Sequence, residues 1–164
     1  MKRKIKFRGK RKDSGEWIYG DLLTMDGGCC EISDWDTVDY GRYDVDPDTV
    51  GQFTDCCAKD TTPIYEGDIV ECVSYNEYFS DPSTGKVMEP FRRKMVVEFR
   101  CGGFKMVEPM PFPMKDNVWD IIYNGDVQVI GNIHDNPDLL ESNMVISALN
   151  PIEMRKSAIE SNDI

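Results

Sequence analysis

Apolar and polar residues alternate over short stretches of this chain, and turn residues separate those stretches. A period of two residues is typical of β-strands that bury one face. The pattern predicts strands at Ile5–Phe7, Trp17–Leu23, Val50–Phe53, Ile69–Ser74, Lys94–Arg100, Phe104–Val107, Trp119–Tyr123 and Asp126–Asn132. Short strands at hairpin spacing predict a mainly β fold, either a small, strongly twisted antiparallel β-barrel or a sandwich.

Turn residues also predict how several of these strands pair. A Cys-Gly-Gly turn at residues 101–103 joins two alternating segments and predicts a hairpin between them. Asn124-Gly125 is the sequence that a type I′ turn prefers, so strand 119–123 is expected to pair with strand 126–132. Residues 33–49 are rich in Asp and Tyr without a clear period, which predicts an exposed loop or hairpin.

The segment Glu66-Gly67-Asp68 predicts a turn at the start of a strand. Gly67 permits the tight backbone, and Asp68 is expected to accept hydrogen bonds from nearby backbone N–H groups. An alternative hypothesis places Glu66 and Asp68 together as a pair of carboxylates that faces a substrate or a cation. Such a pair would make the protein a hydrolase.

A second signature lies where the last predicted strand ends, at Gly131 and Asn132. Asn136 predicts a helix N-cap and Pro137 the first helical position, because proline lacks the N–H that would be unpaired there. One or two short helices are therefore expected near the C-terminus. The pattern weakens after residue 141, so we predict a single β domain over residues 1–141, with a long polar insertion at 75–92, and a tail at 142–164.

The net charge of −11 hides an asymmetry along the chain. Residues 2–12 hold eight basic residues and no acid, whereas the rest of the chain carries 11 basic and 30 acidic residues. Alternation of Ile5 and Phe7 with basic residues predicts an edge strand that lysine and arginine protect from unwanted pairing. Nucleic acid is expected to bind only through residues 2–12, if at all, because the acidic remainder repels phosphates.

The reactive residue types give no recognisable catalytic or metal motif. Six cysteines occur without a Cys-x-x-Cys spacing, and His134 is the only histidine. We therefore predict no metal site, no cofactor and no catalytic residue, and we treat the cysteines as reduced thiols, with a metal site built from the two cysteine pairs as the alternative. No apolar run is long enough to span a membrane and no secretory leader is seen, so a cytoplasmic location is expected.

An apolar, proline-rich stretch stands out between the last two predicted hairpins. Its prolines at 109, 111 and 113 exclude a helix or a central strand. If exposed, its large side chains would form a surface for a partner or a sister subunit. The candidate interaction surface consists of Met106, Met110, Phe112, Met114 and Trp119.

Several blocks of this chain resemble the YopX-like proteins of phages and prophages. They occur in the family's order at residues 5–10, 15–20, 45–54, 64–70 and 129–141. The resemblance implies a mainly β accessory protein of a phage, homo-oligomeric, active in the bacterial host cell, and it carries no catalytic motif over to this chain. The cysteines at 56 and 57 replace a turn that is rich in Gly and Asp in the family.

The leading hypothesis is a phage- or prophage-derived accessory protein that acts as a non-enzymatic, homo-oligomeric binding module, with a host or phage protein as partner. The alternatives are an acidic decoy that engages a host nucleic-acid-binding protein, and the hydrolase described above.

Overall fold

The computed structural model describes residues 5–34, 41–74, 91–108, 117–120 and 127–140. Eleven strands lie in this part of the chain: β1 (Phe7–Lys10), β2 (Trp17–Thr24), β3 (Cys30–Ser33), β4 (Arg42–Val45), β5 (Gly51–Cys57), β6 (Pro63–Tyr65), β7 (Asp68–Ser74), β8 (Phe91–Arg100), β9 (Gly103–Glu108), β10 (Asn117–Asp120) and β11 (Val127–Asn132). A 3-10 helix at Pro47–Thr49 precedes β5, and helical residues begin again at Asp138.

The strands form two antiparallel sheets, which confirms the predicted mainly β fold and fits the sandwich form. The first sheet has the order β4-β3-β2-β1-β5-β6, and the second has the order β10-β9-β8-β7-β11. The first sheet curls strongly, because a bridge between Arg11 and Val45 brings β4 back to the end of β1. Within the described residues, no helix is long and apolar enough to cross a membrane.

Two apolar clusters hold the sheets. One lies within the curl of the first sheet and consists of Ile18, Cys30, Ile32 and Val45. The other connects the sheets, because Ala58 and Ile64 from the β5–β6 region pack on Val70, Cys72, Met95, Val97, Met106 and Val127 of the second sheet. The side chains of β7, β8 and β9 alternate, as the sequence predicts, and one face of these strands supplies most of this core.

The prediction of an edge strand at residues 5–7 was wrong. Strand β1 begins at Phe7 and lies between β2 and β5, so it is an interior strand. Its burial also differs from the prediction, since Arg8 is only 7% exposed whereas Ile5 is 57% exposed. A buried arginine breaks the rule that apolar residues face the core, and it therefore requires a partner.

The hairpin predicted across Asn124-Gly125 was also wrong. Strand β10 pairs with β9, and β11 pairs with β7, so the two strands lie at opposite edges of the second sheet. The turn itself, residues 121–126, lies outside the described residues. In contrast, the hairpin of β8 and β9 is confirmed. The segment 33–49, predicted as an exposed loop or hairpin, contains β4, which pairs with β3 at Cys30–Ser33, a strand that the sequence did not predict. The predicted insertion ends before residue 91, because β8 begins there, and its residues 75–90 and the tail lie outside the described part.

Candidate binding face

One face of the first sheet gathers aromatic side chains around Arg8. In the antiparallel register, Arg8 stands opposite Tyr19, and Lys10 stands opposite Trp17. On the other side of β1, Arg8 stands opposite Gly51 of β5. Two residues further along β5, Phe53 stands opposite Tyr65 of β6. Because side chains that stand opposite one another share a face of a sheet, this register brings residues from four strands together.

The aromatic face, as we call it, consists of Arg8, Trp17, Tyr19, Phe53 and Tyr65. The guanidinium carbon of Arg8 lies 4.7 Å from the ring centroid of Trp17 and 5.1 Å from that of Tyr65. The rings of Tyr19 and Phe53 each lie 5.5 Å from that of Tyr65. Tyr65 is buried, but 48% of Tyr19 is exposed, so the face reaches solvent mainly through Tyr19.

The charge of Arg8 is balanced by Asp68, at the start of β7. An Nη1–Oδ1 distance of 2.6 Å joins the two side chains, which are 8% and 1% exposed. Arg8 Nη2 also donates a hydrogen bond to the carbonyl of Glu66 at 3.2 Å. Burial raises the pKa of the Asp68 carboxyl above its ordinary value, although Arg8 and the N–H of Tyr65 oppose that shift. The pair thus links the first sheet to the first strand of the second.

The turn before β7 shows where the two candidate carboxylates point. Asp68 Oδ2 accepts a hydrogen bond from the N–H of Tyr65 at 2.8 Å, as expected for a local turn. Glu66 Oε1 instead accepts one from the N–H of Phe99 at 3.3 Å. Gly67 has the positive φ of +81° that the tight turn requires. The two carboxylates therefore serve different parts of the fold and do not converge on one open site.

A second polar cluster, built on Asp135, fastens the turn after β11 to the aromatic face. Asp135 Oδ1 pairs with the ammonium of Lys10. Its Oδ2 accepts hydrogen bonds from Trp17 Nε1 at 2.7 Å and from Asn132 Nδ2 at 2.8 Å. The pKa of Asp135 lies well below its usual range, because its carboxylate accepts hydrogen bonds, the strongest effect coming from Lys10 and smaller ones from Asn132 and Trp17. The orientation of the Trp17 ring is consequently defined at its nitrogen.

The signature residues of this turn have local structural roles. Asn132 Oδ1 accepts hydrogen bonds from the N–H groups of His134 at 3.0 Å and Asp135 at 2.9 Å. The Asn136 side chain reaches back to the N–H of Asn132 at 3.3 Å, while its carbonyl accepts the first helical bond, from Leu139. A helix thus starts near the predicted position, but its helical residues begin at Asp138, not at Pro137, and the side chain of Asn136 holds the preceding turn instead of capping the helix.

Gly131 lies beneath this turn, and its lack of a side chain is necessary there. A Cβ at this position would lie 2.6 Å from Asn136 Oδ1 and 2.9 Å from Leu139 Cδ1. The N–H of Leu140 donates a hydrogen bond to the carbonyl of Pro137 at 3.1 Å, so the first turn of the helix closes directly after Pro137. Both residues therefore position the turn that supplies Asp135.

His134 lies beside the aromatic face. Its ring centroid lies 5.9 Å from that of Trp17. Burial, followed by the nearby charges of Arg8 and Lys10, lowers the pKa of His134, so the ring is neutral near pH 7. Within the described residues, no group of three or more His, Cys, Asp or Glu side chains is placed to hold a metal ion. All six cysteines are free thiols.

The predicted interaction surface at 106–119 is placed only in part. Met106 is fully buried and belongs to the core of the second sheet, so it does not contribute to a surface. Met110, Phe112 and Met114 lie outside the described residues, and for Trp119 only the backbone, in β10, is described.

Sequence reasoning missed Arg8 as the centre of a cluster. The only signal was the alternation of Trp17 and Tyr19, which by itself does not identify a partner.

A family model described as "YopX protein" matches residues 6–141 of the chain. Among solved structures, the chain is similar to the crystal structure of protein EF1440 from Enterococcus faecalis, with 20% identity and a TM-score of 0.48. That alignment covers 85% of this chain and 99% of the other. A search of curated proteins finds no match.

Proposed function

The chain belongs to the YopX protein family, and on that premise we propose that it is a phage- or prophage-derived accessory protein that binds another protein. It works in the cytoplasm of the bacterial host as a homo-oligomer, and it acts by binding and not by catalysis. The observation that carries the proposal is the aromatic face, whose rings surround a buried arginine and reach solvent at Tyr19.

The composition of this face favours a protein partner. Trp, Tyr and Arg are the residues most enriched among those that dominate binding energy at protein interfaces. Here the ring of Trp17 is held at its nitrogen by Asp135, and Arg8 stacks on it. Side chains that are already ordered lose little entropy when a partner docks, so a preorganised face binds more tightly than a mobile one of equal area.

The charges around the face argue against nucleic acid as the partner. Arg8 pairs with Asp68, Lys10 with Asp135, and Arg11 with Asp13. Nucleic-acid affinity comes largely from basic side chains that displace counterions from phosphates. Cations that are each matched by a carboxylate have little capacity for that exchange.

Neither alternative from the sequence gains support from the described contacts. An acidic decoy needs free carboxylates at regular spacing on one face, yet Glu71 pairs with Arg92, Glu98 with Arg100, and Asp68 with Arg8. A hydrolase needs Glu66 and Asp68 to converge, and they bind different parts of the fold.

Capture from extracts of the native host tests the binding role. The wild-type protein and the Tyr19→Ala variant are immobilised separately, and the retained proteins are quantified by mass spectrometry. We expect a partner that the wild type retains and that Tyr19→Ala loses. Phe99→Ala is the matched control, because Phe99 is also an exposed ring, at 55%, but lies on β8. Equal capture by all three proteins would contradict a role for the aromatic face.

Light scattering across a concentration series tests self-association. A monomer has a mass of 18.8 kDa, so a homo-oligomer shows an integer multiple of that value. We expect the double variant Phe112→Ser/Met114→Ser to lower the mass and Tyr19→Ala to leave it unchanged. A wild-type mass of 18.8 kDa at the highest concentration would remove the homo-oligomer from the proposal.

A further inference from the structure

The outer face of the second sheet, which is turned away from the first sheet, carries a row of apolar positions. Gly131 of β11 stands opposite Ile69 of β7. In the same line, Ile69 stands opposite Val96 of β8, and Val96 stands opposite Val107 of β9. Residues that stand opposite one another share a face, so these four positions form one row across four strands. Val70, the neighbour of Ile69, belongs to the core between the sheets, so the row lies on the other face.

This outer row is buried. Ile69 is 0% exposed, Val96 5% and Val107 2%. None of the three belongs to either of the apolar clusters that the described residues form. An antiparallel sheet with one face in water carries polar residues on that face. Three buried apolar residues in line therefore indicate that another part of the protein covers the outer row.

Charged residues border the outer row on both sides. Two residues away along the strands, Glu71 stands opposite Lys94 on one side. On the other side, Glu98 stands opposite Lys105. The two borders lie four residues apart along a strand, which is about 13 Å. An α-helix with its side chains is about 10–12 Å wide, so the outer row has the width of a single helix.

The chain leaves the turn after β11 directly above one end of the outer row. A Cβ on Gly131 would lie 2.9 Å from Leu139 Cδ1, so the side chain of Leu139 covers the first position of the row. Helical residues begin at Asp138, and the described part of the helix ends at Leu140. The helix therefore starts on the outer face, over the edge strand of the sheet.

The sequence that follows has the length and the composition to reach the other end of the row. Neighbouring strands lie about 4.8 Å apart, so β9 lies about 14 Å from β11. A helix rises about 1.5 Å per residue and covers that distance in about ten residues, which leads from Leu139 to Leu149. Seven of the eleven residues at 139–149 are apolar, and Pro151, a residue that breaks helices, follows them.

We propose that residues 141–149 continue this helix across β7, β8 and β9 and cover the outer row within the same chain. The inference is independent of the binding role proposed above. It extends the folded domain past residue 141, where the sequence pattern predicts that a tail begins, and it assigns the outer face of the second sheet to the chain itself and not to a partner.

The proposal specifies which side chains meet. Ile146 and Leu149 follow Leu139 by seven and ten residues, so the three lie on one side of a helix. Seven residues of helix advance about 10 Å, which is the distance between β11 and β8. Ile146 is therefore expected to pack on Val96, and Leu149 on Val107.

A double-mutant cycle on the full-length protein tests the first of these contacts. Val96→Ala and Ile146→Ala are made singly and together, and urea unfolding is followed by circular dichroism. We expect Ile146→Ala alone to lower the urea midpoint by about 1 M, because a buried isoleucine that is cut to alanine leaves a cavity. In the Val96→Ala background, the same change should lower the midpoint by about half as much, since residues in contact are not additive.

Ile159→Ala is the matched control. It makes the same substitution in the same C-terminal segment, but beyond Pro151. Its midpoint should stay near that of the parent protein, both alone and in the Val96→Ala background. If the double variant of Val96 and Ile146 does not fold, Ile146→Val repeats the cycle with a smaller loss.

The outcomes identify what covers the outer row. Full additivity of Val96→Ala and Ile146→Ala would overturn the proposal, and so would equal effects of Ile146→Ala and Ile159→Ala. A host partner as the cover would also give additivity, because the purified protein lacks it. The cycle is repeated at a dilution where light scattering gives the monomer mass of 18.8 kDa. Coupling that persists there supports cover by the same chain, whereas coupling lost on dilution assigns the segment to a sister subunit and overturns the proposal.

Discussion

Removing the charge of Asp68 gives the sharpest test of how the two sheets are joined. The side chain of Arg8 is only 8% exposed, and its guanidinium lies 2.6 Å from the Asp68 carboxylate. In Asp68→Asn, the guanidinium stays buried but loses this negative charge. Breaking a buried ion pair from one side costs about 3–5 kcal/mol, because the remaining charge stays buried without compensation. Contacts of Arg8 with Trp17 and Tyr65 are present in the wild type and remain in the variant, so they do not reduce this difference.

A loss of that size is a large fraction of the stability of a small protein, which is about 5–15 kcal/mol. Urea unfolding, followed by circular dichroism, measures it as a lower midpoint at unchanged slope. Asp13→Asn is the matched control, because Asp13 pairs with Arg11 at the same distance of 2.6 Å but is 66% exposed. Solvent screens an exposed pair and greatly weakens it, so the control should unfold close to the wild type.

The double variant Arg8→Met/Asp68→Asn completes a thermodynamic cycle. With the arginine replaced by an apolar side chain, no buried charge is left, so the double variant should be more stable than Asp68→Asn alone. The single variant Arg8→Met supplies the fourth corner of the cycle. A cost below about 1 kcal/mol for Asp68→Asn, or a double variant whose loss equals the sum of the losses in Asp68→Asn and Arg8→Met, would contradict a buried ion pair.

The remaining predictions concern the Asp135 cluster, one glycine and the thiols. The pKa of Asp135 is lowered in the folded protein, so its contribution to stability is present above the unfolded pKa of about 3.9 and is lost as the pH falls below that value. Thermal unfolding should therefore show a less steep fall in stability between pH 5 and pH 3 for Asp135→Asn than for the wild type. Gly131→Ala should destabilise the protein by about 1–3 kcal/mol, because the new methyl group overlaps Asn136, whereas Gly103→Ala, with open space around it, should unfold near the wild type; equal midpoints would contradict the crowding. In a thiol assay on the folded protein, the exposed Cys29, Cys57 and Cys101 should react first, and Cys72, whose pKa is raised by burial, should react only after unfolding; early reaction of Cys72 would contradict its placement in the core.

The alternation of side chains was sufficient to predict the second sheet's central strands. Residues 69–74, 94–100 and 104–107 alternate clearly, and a local turn of two glycines joins the last two. The turn at Gly67 could be predicted for the same reason, since a positive φ is a local demand that only certain residues meet cheaply. These features depend on neighbours in sequence, and so the sequence contains them.

Strand partners could not be predicted in this way. Asn124-Gly125 favours a local hairpin, yet β10 and β11 gain more by pairing with β9 and β7, where both ladders extend an existing apolar sheet. Arg8 is the second case. Its basic neighbours suggested an exposed edge, but β1 acquires β5 as a partner from more than forty residues away.

The sequence by itself therefore determined a mainly β chain, the positions of most strands, the turn before β7 and the family to which the protein belongs. The tertiary structure alone decided that Arg8 and Asp68 meet and that Asp135 orients Trp17. The physical reason is that a buried charge is tolerated only beside its counter-charge. That requirement acts across 60 residues of chain, and no local periodicity records it.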